Sequence, residues 1–484
     1  MTNLCDLTAL ELADLLASRA VSPVEVVTAV QAKLDATEPF LNAYILRMDA
    51  EAQAAAQAAE AEIMAGNYRG PLHGVPIAIK DNIAVAGTKT TAGSKIMADN
   101  LTPDDAEVVR RLRAAGAIIV GKTNMSEMAA SARSQNVHYG NMRNPWGPNH
   151  DAGGSSGGSA VTVAARQVPL SLGTDAGGSV RIPAAMTGIV GLKQTHGRAS
   201  TRGLLASGNV TVDHIGPFGR TVADVALTLE TMAGYDPLDP TSADRPVPAY
   251  REALRTDLRG VRVGVPTNYF FDLLDPEVEA GVRTAIDVLA GLGATVVPVT
   301  IPDLEELLQA RMALTAEGLA FHDPYLRSSA ELYGDELRHR LLANYFIPGR
   351  DLARANRARR ILKERFAAVF EDVDLLATPG CAIPTKPLTD KTLTVKDFRT
   401  GEMVEVPFML SMVRMTALLN STGLPAICLP AGFTTESLPI SLQFIGRAFE
   451  DALVLGAAHA YEQATLWHRR KAPFTTTDAS AVPV

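Results

Sequence analysis

The chain has 484 residues, with 45 Lys and Arg against 53 Asp and Glu for a formal net charge of −8, and it is 47% hydrophobic but only 5% aromatic. At roughly 150 residues per domain such a length suggests about three domains, unless one large α/β unit absorbs it. The acidic balance is spread along the chain, which excludes an electrostatic footprint for nucleic acid or an anionic membrane and fits a small neutral substrate.

The N-terminus, Met1-Thr2-Asn3-Leu4-Cys5-Asp6, has neither a basic region nor an apolar run, so the expected compartment is the cytoplasm. Helical periodicity follows over Ala9 to Ala20, from Ser22-Pro23 onward, and over the Ala-rich Asp49 to Ala65. Residues 1–65 therefore read as an N-terminal helical segment packing on a core domain that spans 66–484. In that domain Val75 to Ile79 is a short apolar strand, and Asp105 to Ala115 is a helix stopped by Gly116 before the strand Ala117 to Val120. The same order recurs at Val261 to Val265, Pro276 to Leu292 and Thr295 to Val299, which predicts an α/β protein with a mostly parallel or mixed sheet.

From Asp303 to Phe370 the pattern turns helical, with Asp351 to Phe370 the longest element, and Val373 to Pro379 returns to the sheet. Residues 300–410, including the polar stretch Lys386 to Val406, interrupt the α/β order and are expected to shape a substrate mouth. The uncharged run Met415 to Thr435 contains Asn420, Gly423, Pro425 and Pro430, a backbone that lipid does not tolerate. Cys5, Cys381 and Cys428 lie far apart without C-x-x-C spacing, and no H-E-x-x-H occurs, so neither a disulfide framework, a metal nor a cofactor is expected.

The unusual region holds two Gly/Ser knots, Gly153-Gly154-Ser155-Ser156-Gly157-Gly158-Ser159 and Gly173-Thr174-Asp175-Ala176-Gly177-Gly178-Ser179-Val180-Arg181. A helix over Ala160 to Arg166 and a strand over Val168 to Gly173 join them, an order that no flexible linker needs. Ala176-Gly177-Gly178-Ser179 offers consecutive unobstructed backbone N–H groups, the raw material of an oxyanion hole, and Ser179 adds a hydroxyl. That hydroxyl needs a base. Gly153-Gly154-Ser155-Ser156-Gly157 also matches the G-x-S-x-G of a nucleophile elbow, with His196, His214, His322, His339, His459 and His468 downstream to complete a triad. The polar, proline-bearing Met142 to Asp151 is a poor strand to precede an elbow. The competing base is Lys80, at the end of the apolar Val75 to Ile79 and neutral if buried, with a serine of the first knot as bridge to Ser179.

The long string Gly153 to Ala160, Leu172 to Ala184 and Gly188 to Lys193 resembles the signature of the amidase signature family. Supporting similarity lies in Gly70 to Asn82, Gly121 to Met125, Arg143 to Trp146 and Leu438 to Gln443. The resemblance implies a single large mixed sheet sandwiched by helices and a Ser–Ser–Lys triad: Ser179 as nucleophile, Ser155 as bridging serine after a cis peptide from Gly154, and Lys80 as base. It also implies an oxyanion hole of the Ala176, Gly177, Gly178 and Ser179 N–H groups. Asp175 and Arg181 flank the turn and are expected to pair in support of it.

The implied activity is hydrolysis of a small neutral amide, or of a related carbamate or ester, through an acyl-enzyme, with release of ammonia or an amine. The alternative is an amidotransferase A-type subunit that works on tRNA-linked substrates with a partner protein. Ile182 stands where such subunits usually carry Gln, which disfavours the alternative. Met125 and Met128, with the helical region from Tyr325 to Tyr345, are candidates to line the substrate pocket. A homodimer is compatible with the sequence.

Overall fold

The computed structural model describes residues 3–205 and 211–474; Met1, Thr2 and the last ten residues of the expected 66–484 unit lie outside it. Helix starts follow the chemistry of their first turns. Thr8 and Ser22 each accept a backbone N–H three residues on, while Glu11 and Glu25 reach back to them, and these two capping boxes open the helices Ala9–Ala17 and Pro23–Leu41. The third expected helix is Asp49–Met64. Between the last two lies a strand that helical periodicity did not predict, Tyr44–Arg47, so the first 65 residues are not purely helical.

That strand, β1, is one of eleven in the central sheet. The others are β2 (Pro76–Lys80), β3 (Ile118–Thr123), β4 (Leu170–Thr174), β5 (Val190–Lys193), β6 (Ile215–Gly219), β7 (Arg262–Pro266), β8 (Thr295–Val299), β9 (Leu375–Pro379), β10 (Ala426–Phe433) and β11 (Pro439–Gly446). Their spatial order is β1-β3-β2-β4-β6-β5-β10-β11-β9-β7-β8. The pairs β2·β3, β2·β4, β7·β8 and β7·β9 are parallel and the rest antiparallel, so the sheet is mixed.

Helices cover both faces, which is why the central strands read as continuous apolar runs. On β2, Ile77 and Ile79 enter one apolar cluster with Leu112 and Leu172, whereas Ala78 enters another with Val30 and Ala160. The long helix expected at Asp351 to Phe370 is Gly349–Asp372. The polar stretch from Lys386 folds into a hairpin of Thr392–Asp397 and Met403–Pro407, which joins Leu273–Leu274 in a separate small sheet. Among the described residues no helix is long and apolar enough to cross a membrane. All three cysteines are free and buried.

Candidate active site

β2 and β4 run in parallel with Ile79 opposite Leu172, and each ends in a polar residue: Lys80 on β2, Thr174 on β4. The Lys80 side chain is fully buried, and its Nζ lies 2.7 Å from both Ser155 Oγ and Thr174 Oγ1. Asn82 Nδ2 donates to the same threonine hydroxyl at 3.2 Å. Burial disfavours the ammonium and pulls the Lys80 pKa down to about 7, against the opposing pull of the Asp213 and Asp175 charges. Asp213 is itself buried and pushed up to about 7. The lowering at Lys80 favours the free amine, the form that can accept a proton.

Ser155 follows a cis peptide bond from Gly154. The strand-like segment before the knot, Gly147–Asp151, lies mostly half-buried in a two-stranded ribbon with Arg143–Asn144, not in the sheet, so the context of a nucleophile elbow is missing. Asp151 pins the entry instead: its carboxylate accepts from Arg133 Nε at 3.0 Å and from the Ser134 and Gly153 N–H groups, each at 2.8 Å. The two knots touch. A Cβ on Gly153 would lie 2.9 Å from Pro183 Cα, and Ser156 Oγ is 3.2 Å from both the carbonyl and the N–H of Thr174.

The second knot turns from β4 into the helix Arg181–Thr187, leaving Ser179 half-buried at the corner. Asp175 organises the corner. Arg181 Nε and Nη2 each donate to its carboxylate at 3.0 Å, and both side chains are fully buried. Burial works to raise the Asp175 pKa, but the guanidinium beside it holds the carboxyl well below the usual range. The same carboxylate accepts the Gly178 N–H at 2.7 Å. This corrects the expected oxyanion hole: the Gly178 N–H is already spent inside the turn, and the donors left without an acceptor among the described residues are those of Ala176, Gly177 and Ser179.

Comparison with known proteins fits this geometry. The Amidase family profile matches residues 25–455. The chain belongs to the amidase signature family. It is 40% identical to the A-type subunit of a glutamyl-tRNA(Gln) amidotransferase from Chloroflexus aurantiacus, over 97% of this chain and 99% of that one. It is 42% identical to an amidase of Pseudomonas putida over 97% and 98%. A solved 6-aminohexanoate cyclic dimer hydrolase, in complex with substrate, superposes with a TM-score of 0.85 at 29% identity, covering 97% of this chain and 99% of that one. The protein is therefore an enzyme of a family of carbon–nitrogen bond hydrolases.

Within this family member, the remaining candidates fall differently from expectation. Met125 and Met128 are 0% exposed, packed in an apolar cluster with Leu326, Tyr333, Leu337 and Leu341. They behave as core behind any pocket wall and offer no surface to a ligand, because the helices from Leu319 to Asn344 fold down over them. His214 sits under the turn, with Nδ1 3.2 Å from the Asp175 carbonyl and Nε2 3.3 Å from Lys193 Nζ, a scaffold contact away from the Ser155 hydroxyl that Lys80 meets. Sequence reasoning missed Thr174 and Asn82 on the lysine, and Asn420 and Gln443 on Arg181. Asn420 Oδ1 accepts from Arg181 Nη2 at 2.7 Å, and Gln443 Oε1 from Nη1 at 3.1 Å. Gln443 had a signal, since it ends the similar stretch Leu438 to Gln443; Asn420 had none.

Proposed function

We propose that this chain cleaves the carbon–nitrogen bond of an amide through an acyl-enzyme on Ser179, with Ser155 as proton bridge and Lys80 as base. One observation carries the reading: a fully buried amine, its pKa lowered to about 7, 2.7 Å from the Ser155 hydroxyl. Ser179 Oγ attacks the acyl carbon as its proton passes to Ser155, whose own proton moves onto the lone pair of Lys80. The negative charge arising on the carbonyl oxygen is met by free N–H groups of the Ala176 to Ser179 turn. As the carbon–nitrogen bond breaks, the relay returns its proton to the leaving nitrogen. Water then splits the acyl ester, giving a carboxylic acid and restoring the Ser179 hydroxyl. A fluorophosphonate should form its adduct on Ser179, as read by peptide mass spectrometry; an adduct on Ser155 overturns the assignment of roles.

The setting of this chemistry is a second question, and the relatives favour the alternative raised from the sequence. The 40% identity to the A-type amidotransferase chain runs end to end through both proteins, so Ile182 does not set this chain apart from such subunits as a whole. The 42% identity to the Pseudomonas putida amidase supports the stand-alone enzyme. Ammonia release from simple amides by the purified chain, without tRNA or a second protein, decides for the stand-alone enzyme; release only when both are added decides for the amidotransferase role.

A further inference from the structure

The peptide that joins Gly177 to Gly178 is fixed at both ends. Its N–H donates to Asp175 Oδ1 at 2.7 Å, and its carbonyl accepts from Thr416 Oγ1, also at 2.7 Å. A peptide unit is planar, so two anchored ends leave it no rotation, and the N–H groups on either side are aimed by it. Those neighbours are the Gly177 and Ser179 N–H groups, which have no acceptor among the described residues. Gly178 has φ of 130°, a glycine conformation, and a Cβ there would collide with Thr416 Oγ1 and Ile182 Cδ1. The close approach of Thr416 is thus part of the turn.

Thr416 is 0% exposed and has one hydroxyl proton; its other acceptor, the Val413 carbonyl, is farther away at 3.4 Å. The threonine stands on a rigid base. It precedes the helix Ala417–Thr422, in which Asn420 Nδ2 donates to the Asp175 carbonyl at 2.7 Å and to its carboxylate at 2.8 Å. On its other side, the Met415 carbonyl accepts from Gln443 Nε2 at 3.1 Å, and Gln443 in turn holds Arg181.

We propose that Thr416 is a positioning residue for catalysis: by holding the Gly177 carbonyl it aims the Gly177 and Ser179 N–H groups at the developing oxyanion. This rests on the acyl-enzyme reading above. Valine keeps the shape of threonine and removes the hydroxyl. In Thr416→Val we expect kcat on a simple amide to fall about 10- to 100-fold, less than the roughly 10²- to 10³-fold loss on removing an oxyanion donor outright, because the donors stay in place and lose only their aim. KM should stay within about twofold. Phosphonylation of Ser179 by a fluorophosphonate, which also builds negative charge on an oxygen at the turn, should slow in parallel, and Thr416→Ser should restore both rates. The acid limb of the pH profile should not move, because Lys80 is untouched. Parental kcat and phosphonylation rates in the valine variant overturn the proposal, as does a loss confined to KM or a serine variant that restores neither rate. A parent protein that takes no label on Ser179 removes the acyl-enzyme reading itself, and the role of Thr416 with it.

Discussion

Lys80 is a buried lysine whose hydrogen-bond contacts are hydroxyls, and burial outweighs the opposing charges of Asp213 and Asp175 in setting its protonation. The folded pKa of about 7 lies below the ordinary lysine value of 10.5, so at and below neutrality protons compete with the base role proposed for it. Activity should therefore fall as pH drops through about 7, seen as an acid limb in kcat/KM with its midpoint there. A profile flat from about pH 5 to 9 with chemistry limiting would sink the assignment. The same shift bears on stability. Between about 7 and 10.5 the unfolded chain binds the extra proton, so this group makes stability rise with pH across that window. Lys80→Met, which fills the space without a titrating group, should lower kcat by about 10²- to 10⁴-fold while the melting temperature stays level or rises. A melting temperature that drops with activity would mean the lysine was structural.

At the scale of elements, the Gly/Ser knots are sites of backbone contact. The helix Gly157–Ala164 begins so close to the segment after β3 that a Cβ on Gly158 would fall onto the Ala43 and Asn124 carbonyl oxygens. Those atoms already serve each other: Asn124 N–H donates to Ala43 O at 2.7 Å and Gly158 N–H to Asn124 O at 3.0 Å. Gly158→Ala should therefore cost about 1–3 kcal/mol in denaturant unfolding, the usual range for overpacking, despite alanine's better helix propensity. An unchanged midpoint would show that the contact relaxes freely. The Arg181–Asp175 pair works on the same principle from the side-chain direction, since the carboxylate also accepts the Gly178, Val180 and Arg181 N–H groups at the start of the next helix.

Across the whole molecule, the N-terminal segment is joined to the sheet as well as to the helical layer. β1 pairs with β3 from Tyr44 opposite Thr123 to Arg47 opposite Gly121, and Tyr44 Oη lies 2.7 Å from Thr162 Oγ1 on the helix that follows Ser156. A chain starting at residue 66 would expose that edge and the apolar face under Val27, Val30 and Leu34. We expect it to be insoluble or molten by circular dichroism and proteolysis. A folded, active fragment would show that residues 1–65 are an independent appendage.

What the sequence by itself determined is the family pattern concentrated in short, compositionally odd stretches. The meeting of Lys80 with Ser155, the Asp175–Arg181 pairing and β2 were legible because glycines, serines and one lysine at the end of an apolar run stand out against ordinary strand and helix grammar. β1 was not, since Tyr44-Ile45-Leu46-Arg47 is too short for periodicity to speak. Only the tertiary structure decided which N–H groups of the turn remain free, that Met125 and Met128 are core, and that Thr416, Asn420 and Gln443 serve a turn some 240 to 260 residues away. The reason is strand order. β10 lies between β5 and β11, which brings the segment before β10 and the middle of β11 against the corner after β4. A single threonine or asparagine in an apolar run carries no mark of that neighbour until the sheet is assembled.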